Sequence, residues 1–108
     1  MEAALKAIAE PRRRAILELV RDGELTAGAI AAHFEVTRPA ISQHLKILRQ
    51  SGLVSERREG TRRLYAVRAE GLDELRAFLD EFWTDRLARL KRAAEREERS
   101  KRGRTDRD

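Results

Sequence analysis

Residues 37–52 read as one amphipathic helix whose two ends are both marked in the sequence. The hydroxyl of Thr37 can accept an unpaired backbone N–H at the N-terminus, and Pro39 lies in the first turn, where its missing N–H is not needed. Gly52 can adopt the left-handed conformation that ends a helix. At a period of about 3.6 residues one face is apolar and should pack on a core. This face consists of Ile41, Leu45 and Leu48, flanked by Ala40 and Ile47.

The opposite face of this helix carries hydrogen-bonding and positively charged groups but no carboxylate. It consists of Pro39, Ser42, Gln43, Lys46, Arg49 and Gln50, with Arg38 near the N-terminal tip. A helix that packs on one side and presents such groups on the other suits the major groove of DNA. An ordinary amphipathic surface helix has the same pattern. The segments around the helix decide between these two interpretations.

The length and composition predict one small domain with a modest core. Of the 108 residues, 41% are hydrophobic and 40% are charged. No apolar run approaches the roughly 20 residues that span a bilayer, and the N-terminus lacks the pattern of a signal peptide. There is no cysteine, which excludes disulfides and thiolate metal sites. We therefore expect a cytoplasmic protein without a membrane segment.

The net charge of +5 is concentrated in two parts of the chain. Residues 28–65 contain seven Lys or Arg against three Asp or Glu, and residues 91–108 contain eight against five. Positive charge that clusters in this way is expected of a protein with a polyanionic partner such as DNA.

Three helices are predicted before the amphipathic one. Residues 3–9 have high helix propensity, and Pro11 can open a second helix. Thr26 can cap a third helix, rich in small residues, that extends to about Phe34. Because the connection to Thr37 is short, the third helix and the amphipathic helix form a helix-turn-helix.

Three arginines cluster in the first turn of the second helix, where the helix dipole disfavours cations: Arg12, Arg13 and Arg14. We therefore expect them to have negatively charged partners. DNA phosphates are one possibility, and the acidic side chains of Glu10 and Glu18 are the other. The acidic side chains are the expected partners, because surface ion pairs are common.

A β-hairpin is predicted after Gly52, where β-branched and aromatic residues partly alternate with polar ones. Its strands are residues 53–58 and 62–68, joined by a Gly-containing turn. Four arginines surround that turn: Arg57, Arg58, Arg62 and Arg63. They either discourage aggregation at a solvated strand edge or form a wing that contacts DNA phosphates or the minor groove. Directly after a helix-turn-helix, the wing is the expected interpretation.

One long helix is predicted from residue 70 to about residue 96. Its apolar residues recur at three- and four-residue steps: Leu72, Leu75, Leu79, Phe82, Trp83, Leu87 and Leu90. A small domain cannot easily cover so long a stripe, so we expect a second copy of the chain to pack on it. The alternative is a helix folded back on its own domain. Residues 97–108 contain no apolar residue and are predicted to be a charged, disordered tail, which leaves residues 1–96 as the DNA-binding and dimerisation domain.

Five phrases of the sequence carry a family resemblance: Glu10-Pro-Arg-Arg-Arg-Ala-Ile-Leu17, Gly23-Glu-Leu-Thr26, Ser42-Gln-His-Leu-Lys-Ile-Leu48, Ser51-Gly-Leu-Val54 and Arg57-Arg-Glu-Gly-Thr-Arg-Arg-Leu-Tyr65. In this order they resemble the ArsR/SmtB-type bacterial repressors over residues 3 to about 95. The resemblance implies a mainly α fold with a small β-hairpin wing, a winged helix-turn-helix that dimerises through its N- and C-terminal helices. It also implies that the protein binds an operator and blocks transcription.

The resemblance assigns the dimer interface to apolar residues of the first and last helices. These are Leu5, Ile8, Leu75, Leu79, Phe82, Trp83, Leu87 and Leu90. Within the last helix, Phe78, Phe82 and Trp83 form an aromatic belt, the one plausible apolar lining for a small-molecule effector. A plain dimer core is the expected interpretation of this belt, because aromatic stripes at helical spacing usually pack. The sequence identifies no small-molecule effector.

The sequence departs from the metal-sensing members of that family. Those members carry a Cys-x-Cys-type pair before the turn, or clusters of Asp, His and Glu on the terminal helix. The corresponding stretch here is Leu25-Thr-Ala-Gly28, and the terminal helix has no histidine. His33 and His44 lie in the helix-turn-helix and form no ligand cluster. We therefore expect the non-metal-binding branch, with no metal and no cofactor.

The candidate DNA contacts lie on the amphipathic helix and the wing. We expect a homodimeric, sequence-specific regulator that places two copies of this helix in successive major grooves of a palindromic operator, about 34 Å apart. The side chains expected to read base edges are Arg38, Ser42, Gln43 and His44, and packing explains His44 equally well. Those expected to hold phosphates are Thr37, Lys46, Arg49, Arg62 and Arg63.

Two other functions are weaker alternatives. A winged helix can bind a protein partner through the same helix and hairpin. Carboxylates of the terminal helix can instead form an interface site in a metal- or ligand-responsive repressor. An enzyme is not expected, because the sequence has no Gly-rich phosphate loop after a strand and no nucleophile, base and orienting acid at suggestive positions.

Overall fold

The computed structural model describes residues 1–105, which form five α-helices and three β-strands. The helices are α1 (Glu2–Ile8), α2 (Pro11–Leu19), α3 (Ala27–Ala31), α4 (Arg38–Gln50) and α5 (Ala69–Thr105). The strands are β1 (Leu25–Thr26), β2 (Val54–Glu59) and β3 (Arg62–Val67). This order confirms the predicted fold class, a mainly α winged helix-turn-helix with a small β-hairpin wing. None of the helices in this part of the chain is long and apolar enough to cross a membrane.

Arginines at the start of α2 bind the end of α1. Glu10 caps α2 by accepting a hydrogen bond from the Arg13 N–H at 2.9 Å. The Arg13 side chain donates to the Ala7 carbonyl at 2.6 Å, and the Arg14 side chain donates to the Ile8 carbonyl at 2.7 Å. The last carbonyls of a helix are unpaired acceptors at the negative end of its dipole. The end of a helix therefore supplies a backbone partner for both arginines, and Arg13 also interacts electrostatically with Glu10, one of its predicted acidic partners.

Threonines cap both helices of the helix-turn-helix. Thr26 accepts a hydrogen bond from the Ala29 N–H at 3.1 Å, and Thr37 accepts one from the Ala40 N–H at 3.3 Å. Helix α3 ends at Ala31, earlier than its composition predicts. The apolar stripe of α4 is at most 1% exposed, in Ile41, Leu45 and Leu48. This burial decides which face of α4 remains open to a ligand.

A Schellman motif ends α4, as the position of glycine in the sequence predicts. The Leu53 N–H donates to the Leu48 carbonyl at 3.0 Å, and the Gly52 N–H donates to the Arg49 carbonyl at 3.1 Å. Gly52 has a φ of 80°, which glycine adopts without a steric penalty. The start of α5 approaches this turn so closely that a Cβ at Gly71 would collide with the Gly52 carbonyl oxygen. Both glycines are therefore required by the backbone path.

The three strands form an antiparallel sheet in the order β1-β3-β2. Strands β2 and β3 are joined by the two-residue turn Gly60-Thr61, and Gly60 has a φ of 63°. A glycine with positive φ at the first turn position is typical of a type II′ hairpin. Strand β1 was not predicted; its Leu25 lies opposite Tyr65 of β3. Since Thr26 of β1 also caps α3, this short strand joins the wing to the helix-turn-helix.

The chain divides into two compact units, of which residues 1–75 form the first. The core of this unit comes from its helices and the wing. Its buried hydrophobic residues are Ala4, Ala7, Ile16, Val20, Ile30, Ile41, Leu45, Leu48, Leu53, Val54, Leu64, Tyr65 and Leu75. Leu75 is only 5% exposed. It packs in the core of its own domain, so we leave it out of the proposed dimer interface.

The second unit begins at Arg76 and contains the rest of α5. This helix passes residue 96 without a break and continues to Thr105, where a disordered tail was predicted from residue 97. Glu, Arg and Lys have high helix propensity even without apolar neighbours, and Lys101 lies 4.0 Å from Glu97 one turn away. The predicted tail is therefore helical over residues 97–105, and residues 106–108 lie outside the described residues.

Candidate nucleic-acid interface

A cleft of about 770 Å³ lies between the polar face of α4 and the β2–β3 wing. Seven of the predicted DNA-contacting residues line it: Arg38, Ser42, Gln43, Lys46, Arg49, Arg62 and Arg63. Five of these seven are cations, and Glu56 is the one carboxylate among the lining residues. The fold thus brings the candidates from the helix and those from the wing together on one concave, positively charged surface.

The buried stripe of α4 sets the direction of its polar side chains. Because that stripe faces the core, Ser42, Gln43 and Lys46 lie on the opposite side and are exposed. Arg38 is exposed at the N-terminal end, where a Cβ at Gly28 would lie 3.8 Å from its guanidinium. Arg38 therefore lies beside the first turn of α3. These residues present a guanidinium, a hydroxyl, an amide and an ammonium group along one helix face.

Three cations of the cleft are available for a ligand. Among the residues described by the structure, the side chains of Arg38, Lys46 and Arg62 make no hydrogen bond or ion pair. All three are exposed. The Thr37 hydroxyl accepts a hydrogen bond from Ala40 but keeps its own proton for donation. Such groups can neutralise or donate to phosphate oxygens.

Arg49 and Arg63 instead converge on Glu56. The Nη1 of Arg49 donates to Glu56 Oε2 at 3.1 Å, and the Nε of Arg63 lies 3.7 Å from Oε1. The Tyr65 hydroxyl also donates to Oε2, at 3.3 Å. The Glu56 side chain is only 14% exposed. This carboxylate therefore joins the last turn of α4 to both strands of the wing.

Burial raises the pKa of the Tyr65 hydroxyl, and the charge of Glu56 and the hydrogen bond to it add to the effect. The phenol therefore remains protonated and donates to the carboxylate. Sequence reasoning did not include Glu56 among the site residues. The signal that identifies it is the two-residue period of β2, which places Glu56 on the same face as the buried Val54.

Arg57 anchors the wing outside the cleft. Its Nε and Nη2 donate to the two carboxylate oxygens of Glu24 at 2.9 and 3.1 Å, and Nη2 also donates to Glu59 at 3.1 Å. The hydrogen bond from Arg57 lowers the pKa of the Glu24 carboxyl, and the hydrogen bond to Glu24 raises the pKa of Arg57. Arg57 therefore ties β2 to the loop between α2 and β1.

His44 does not line the cleft, although the sequence suggested it as a base-reading residue. Its side chain is 18% exposed, and its Nδ1 lies 3.4 Å from Arg13 Nη1 and 4.0 Å from Glu10 Oε2. The imidazole of His44 therefore faces the start of α2. Of the two interpretations that the sequence left open for His44, the structure favours packing, in which this residue joins α4 to α2.

The candidate metal ligands do not converge. Within the described part of the chain, no three His, Cys, Asp or Glu residues are arranged to bind a metal ion. His33 is exposed just after α3, whereas His44 packs on α2. That the protein needs no metal stays a prediction.

The candidate dimer residues differ in their exposure. On α1, Leu5 is 37% exposed and Ile8 is half-buried. In the second unit, α5 exposes large apolar side chains: Leu79 57%, Phe82 64%, Trp83 61%, Leu87 51% and Leu90 55%. Phe78 and Phe82 pack edge to face with their ring centroids 5.1 Å apart. An exposed apolar face of this size is typical of a surface that binds another protein.

The chain is similar in sequence to known regulators of transcription. Residues 10–56 match the family described as bacterial regulatory protein, arsR family. The chain is similar to the HTH-type transcriptional regulator Rv2034 of Mycobacterium tuberculosis, at 46% identity over 86 residues that cover 80% of each protein. It is also similar to the transcriptional repressor SdpR of Bacillus subtilis, at 48% identity over 60 residues, 56% of this chain and 67% of that one.

A solved structure agrees with these matches. The chain is similar to the homodimeric winged helix-turn-helix DNA-binding domain of Mb0332 from Mycobacterium bovis, a possible ArsR-family transcriptional regulator. The TM-score is 0.63 and the identity 36%, and the match covers 75% of each chain.

Proposed function

Because the chain belongs to the arsR family of bacterial regulatory proteins, we propose that it is a homodimeric transcriptional regulator that represses by binding a palindromic operator. The observation that carries the proposal is the cleft, in which the polar face of α4 and the wing present five cations together. A concave surface with this charge suits the phosphates on either side of a DNA groove. SdpR, with which the chain shares 48% identity over 60 residues, is described as a repressor.

Base reading is assigned to three residues of α4. The guanidinium of Arg38 suits the two acceptors of guanine, and the amide of Gln43 suits the donor and acceptor of adenine. The hydroxyl of Ser42 can donate or accept and therefore tolerates several bases. His44 is left out of this set because its imidazole packs on α2.

Phosphate binding is assigned to Thr37, Lys46 and Arg62. The two cations lie on the helix and on the wing, so together they can hold the duplex at two points and set its register. With two such cations in each of two subunits, the log of the DNA-binding constant should fall with the log of the salt concentration at a slope of about −3.6. Arg49 and Arg63 are left out of this set because Glu56 already holds them.

The proposed dimer interface consists of apolar residues of α1 and α5. The assigned residues are Leu5, Ile8, Leu79, Phe82, Trp83, Leu87 and Leu90. Their exposure and the homodimer described for the Mb0332 domain support the assignment. A twofold dimer carries two copies of α4, which reach successive major grooves of one DNA face when they lie about 34 Å apart. Residues 1–96 supply both functions in this proposal.

The proposed protein belongs to the non-metal-binding branch, uses no cofactor and is not an enzyme. The absence of cysteine and the separation of the two histidines support this assignment. A regulator of transcription must reach the bacterial chromosome, so the proposed compartment is the cytoplasm.

The test is to select DNA duplexes from a random-sequence library with the purified protein, and then to measure their affinity at several salt concentrations. The proposal predicts a selected sequence with twofold symmetry and an affinity that falls steeply with salt. A winged helix that binds a protein partner through an apolar groove would select no sequence. Failure to bind any duplex, even at low salt, would therefore refute the proposed function.

A further inference from the structure

Glu56 places a negative charge inside a cleft that is proposed to receive a polyanion. It is the one carboxylate among the lining residues, against five Arg and Lys side chains. Because its side chain is only 14% exposed, solvent screens its charge poorly. A carboxylate in this position weakens the attraction between the cleft and DNA phosphates. Its role must therefore come from the groups that it binds.

The groups that it binds are two of the five cations. Arg49 reaches Glu56 from the last turn of α4, at 3.1 Å, and Arg63 reaches it from β3, at 3.7 Å. Both arginines are about half exposed, at 45% and 53%, so both would be open to phosphates without this partner. With Glu56 between them, the three side chains carry a net charge of about +1 instead of +2.

A hydrogen bond from Tyr65 also holds the Glu56 carboxylate in place. Tyr65 is buried and lies directly opposite Glu56 in the β2–β3 pairing, and its hydroxyl donates to the same oxygen as Arg49. The carboxylate is thus held from the core side by a phenol and from the cleft by guanidinium groups. This network fixes the wing relative to α4, because its members come from α4, β2 and β3.

On the basis of the proposed DNA-binding function, we propose that Glu56 is a specificity-determining residue of the cleft. It keeps Arg49 and Arg63 from adding phosphate contacts that every DNA sequence offers. Phosphate contacts supply essentially all non-specific affinity, whereas base contacts discriminate between sequences. Glu56 limits the phosphate contacts and leaves Arg38, Ser42 and Gln43 free for base contacts. It therefore raises the ratio of specific to non-specific binding.

The decisive variant is Glu56→Gln, which removes the charge but keeps the size and an acceptor oxygen. Glu59→Gln is the matched control, since it makes the same charge change on the same strand outside the cleft. Each full-length variant is titrated with two duplexes at several salt concentrations. One is a duplex selected from a random library by the wild-type protein, and the other is a scrambled duplex of equal length.

At low salt, Glu56→Gln is expected to bind the scrambled duplex about tenfold more tightly than the wild type. The slope of its log binding constant against log salt concentration should be steeper by about 2 to 4 for a dimer. Its affinity for the selected duplex should rise less, so the ratio of the two affinities falls. Glu59→Gln should leave that ratio unchanged. If the two variants behave alike, the inference about Glu56 is wrong.

Arg49→Gln gives a second, independent measurement that does not depend on how the first variant folds. In the inferred arrangement Arg49 makes no phosphate contact, so its loss should leave the salt dependence on the scrambled duplex unchanged. A slope shallower by about 2 for the dimer would mean that Arg49 leaves Glu56 for DNA, and would overturn the inference. If the wild type binds no duplex, the proposed function itself is refuted. If the wild type binds DNA but Glu56→Gln behaves like Glu59→Gln, or Arg49→Gln makes the slope shallower, only the role of Glu56 is refuted.

Discussion

Replacing Trp83 with alanine should separate the proposed dimer into subunits. Trp83 is 61% exposed on α5, so most of its surface is uncovered in a single chain. A tryptophan side chain has about 200 Å² to bury, and about 120 Å² of it would therefore be available to a partner. At about 25 cal/mol per Å², covering that area stabilises the dimer by about 3 kcal/mol for each subunit.

The substitution removes this contact twice in a symmetric dimer. If only half of the available area is covered, the loss is about 3 kcal/mol for the dimer, which weakens self-association by about 100-fold. Sedimentation velocity over a range of protein concentrations measures this directly. Operator affinity should fall in parallel, because a single subunit presents only one copy of α4 to the DNA.

Glu81→Ala is the matched control for this experiment. Glu81 is exposed on the same helix but lies about 160° around it from Trp83, away from the apolar stripe. It should leave the dissociation constant of the dimer almost unchanged. The reasoning is refuted if Trp83→Ala sediments like the wild type, or if the wild type is a monomer at micromolar concentration.

Three further predictions concern the cleft, the backbone and the pH dependence. Gln43→Ala should cost about 1–3 kcal/mol on the selected duplex and relax one base position; equal losses on selected and scrambled duplexes in a binding titration would exclude a base-reading role. Gly71→Ala should lower the stability by about 1–3 kcal/mol in chemical denaturation, because its Cβ would collide with a backbone carbonyl. Gly23→Ala, with nothing near its Cβ, should be close to neutral, and equal effects of the two would contradict the collision argument. The Glu24 carboxyl has a pKa lowered below its ordinary value of 4.5 by a wing guanidinium, so it stabilises the fold above that pH and less as the pH falls. The difference in melting temperature between wild type and Glu24→Gln should therefore shrink below pH 4.5, and a constant difference would count against this ion pair.

Part of the candidate site was predictable because it depends on neighbours in the chain. The caps of α4, its apolar stripe and its glycine stop involve residues a few positions apart, and the structure has all three. The two strands of the wing and the Gly-containing turn between them were predicted within one or two residues for the same reason. From these elements alone, the positions of Arg38, Ser42 and Gln43 on the outer face of α4 follow.

What the sequence left open or missed depended on distant partners. The sequence could not decide between base reading and packing for His44, because its environment is set by Arg13, which is 31 residues away in the chain. Leu75 was assigned to a dimer interface from its place in the apolar stripe, yet it packs in the core of its own domain. Strand β1 was missed because two residues are too few for a recognisable alternation.

The sequence by itself determined the order of the elements, the face of α4 that points outward and the excess of positive charge near it, because helix caps, turn glycines and periodicity act over a few residues. The tertiary structure alone decided which of those charges are free. Glu56 and the two arginines that it holds come from three different elements. Electrostatic attraction depends on distance in space, and only folding brings these groups within hydrogen-bonding reach of one another.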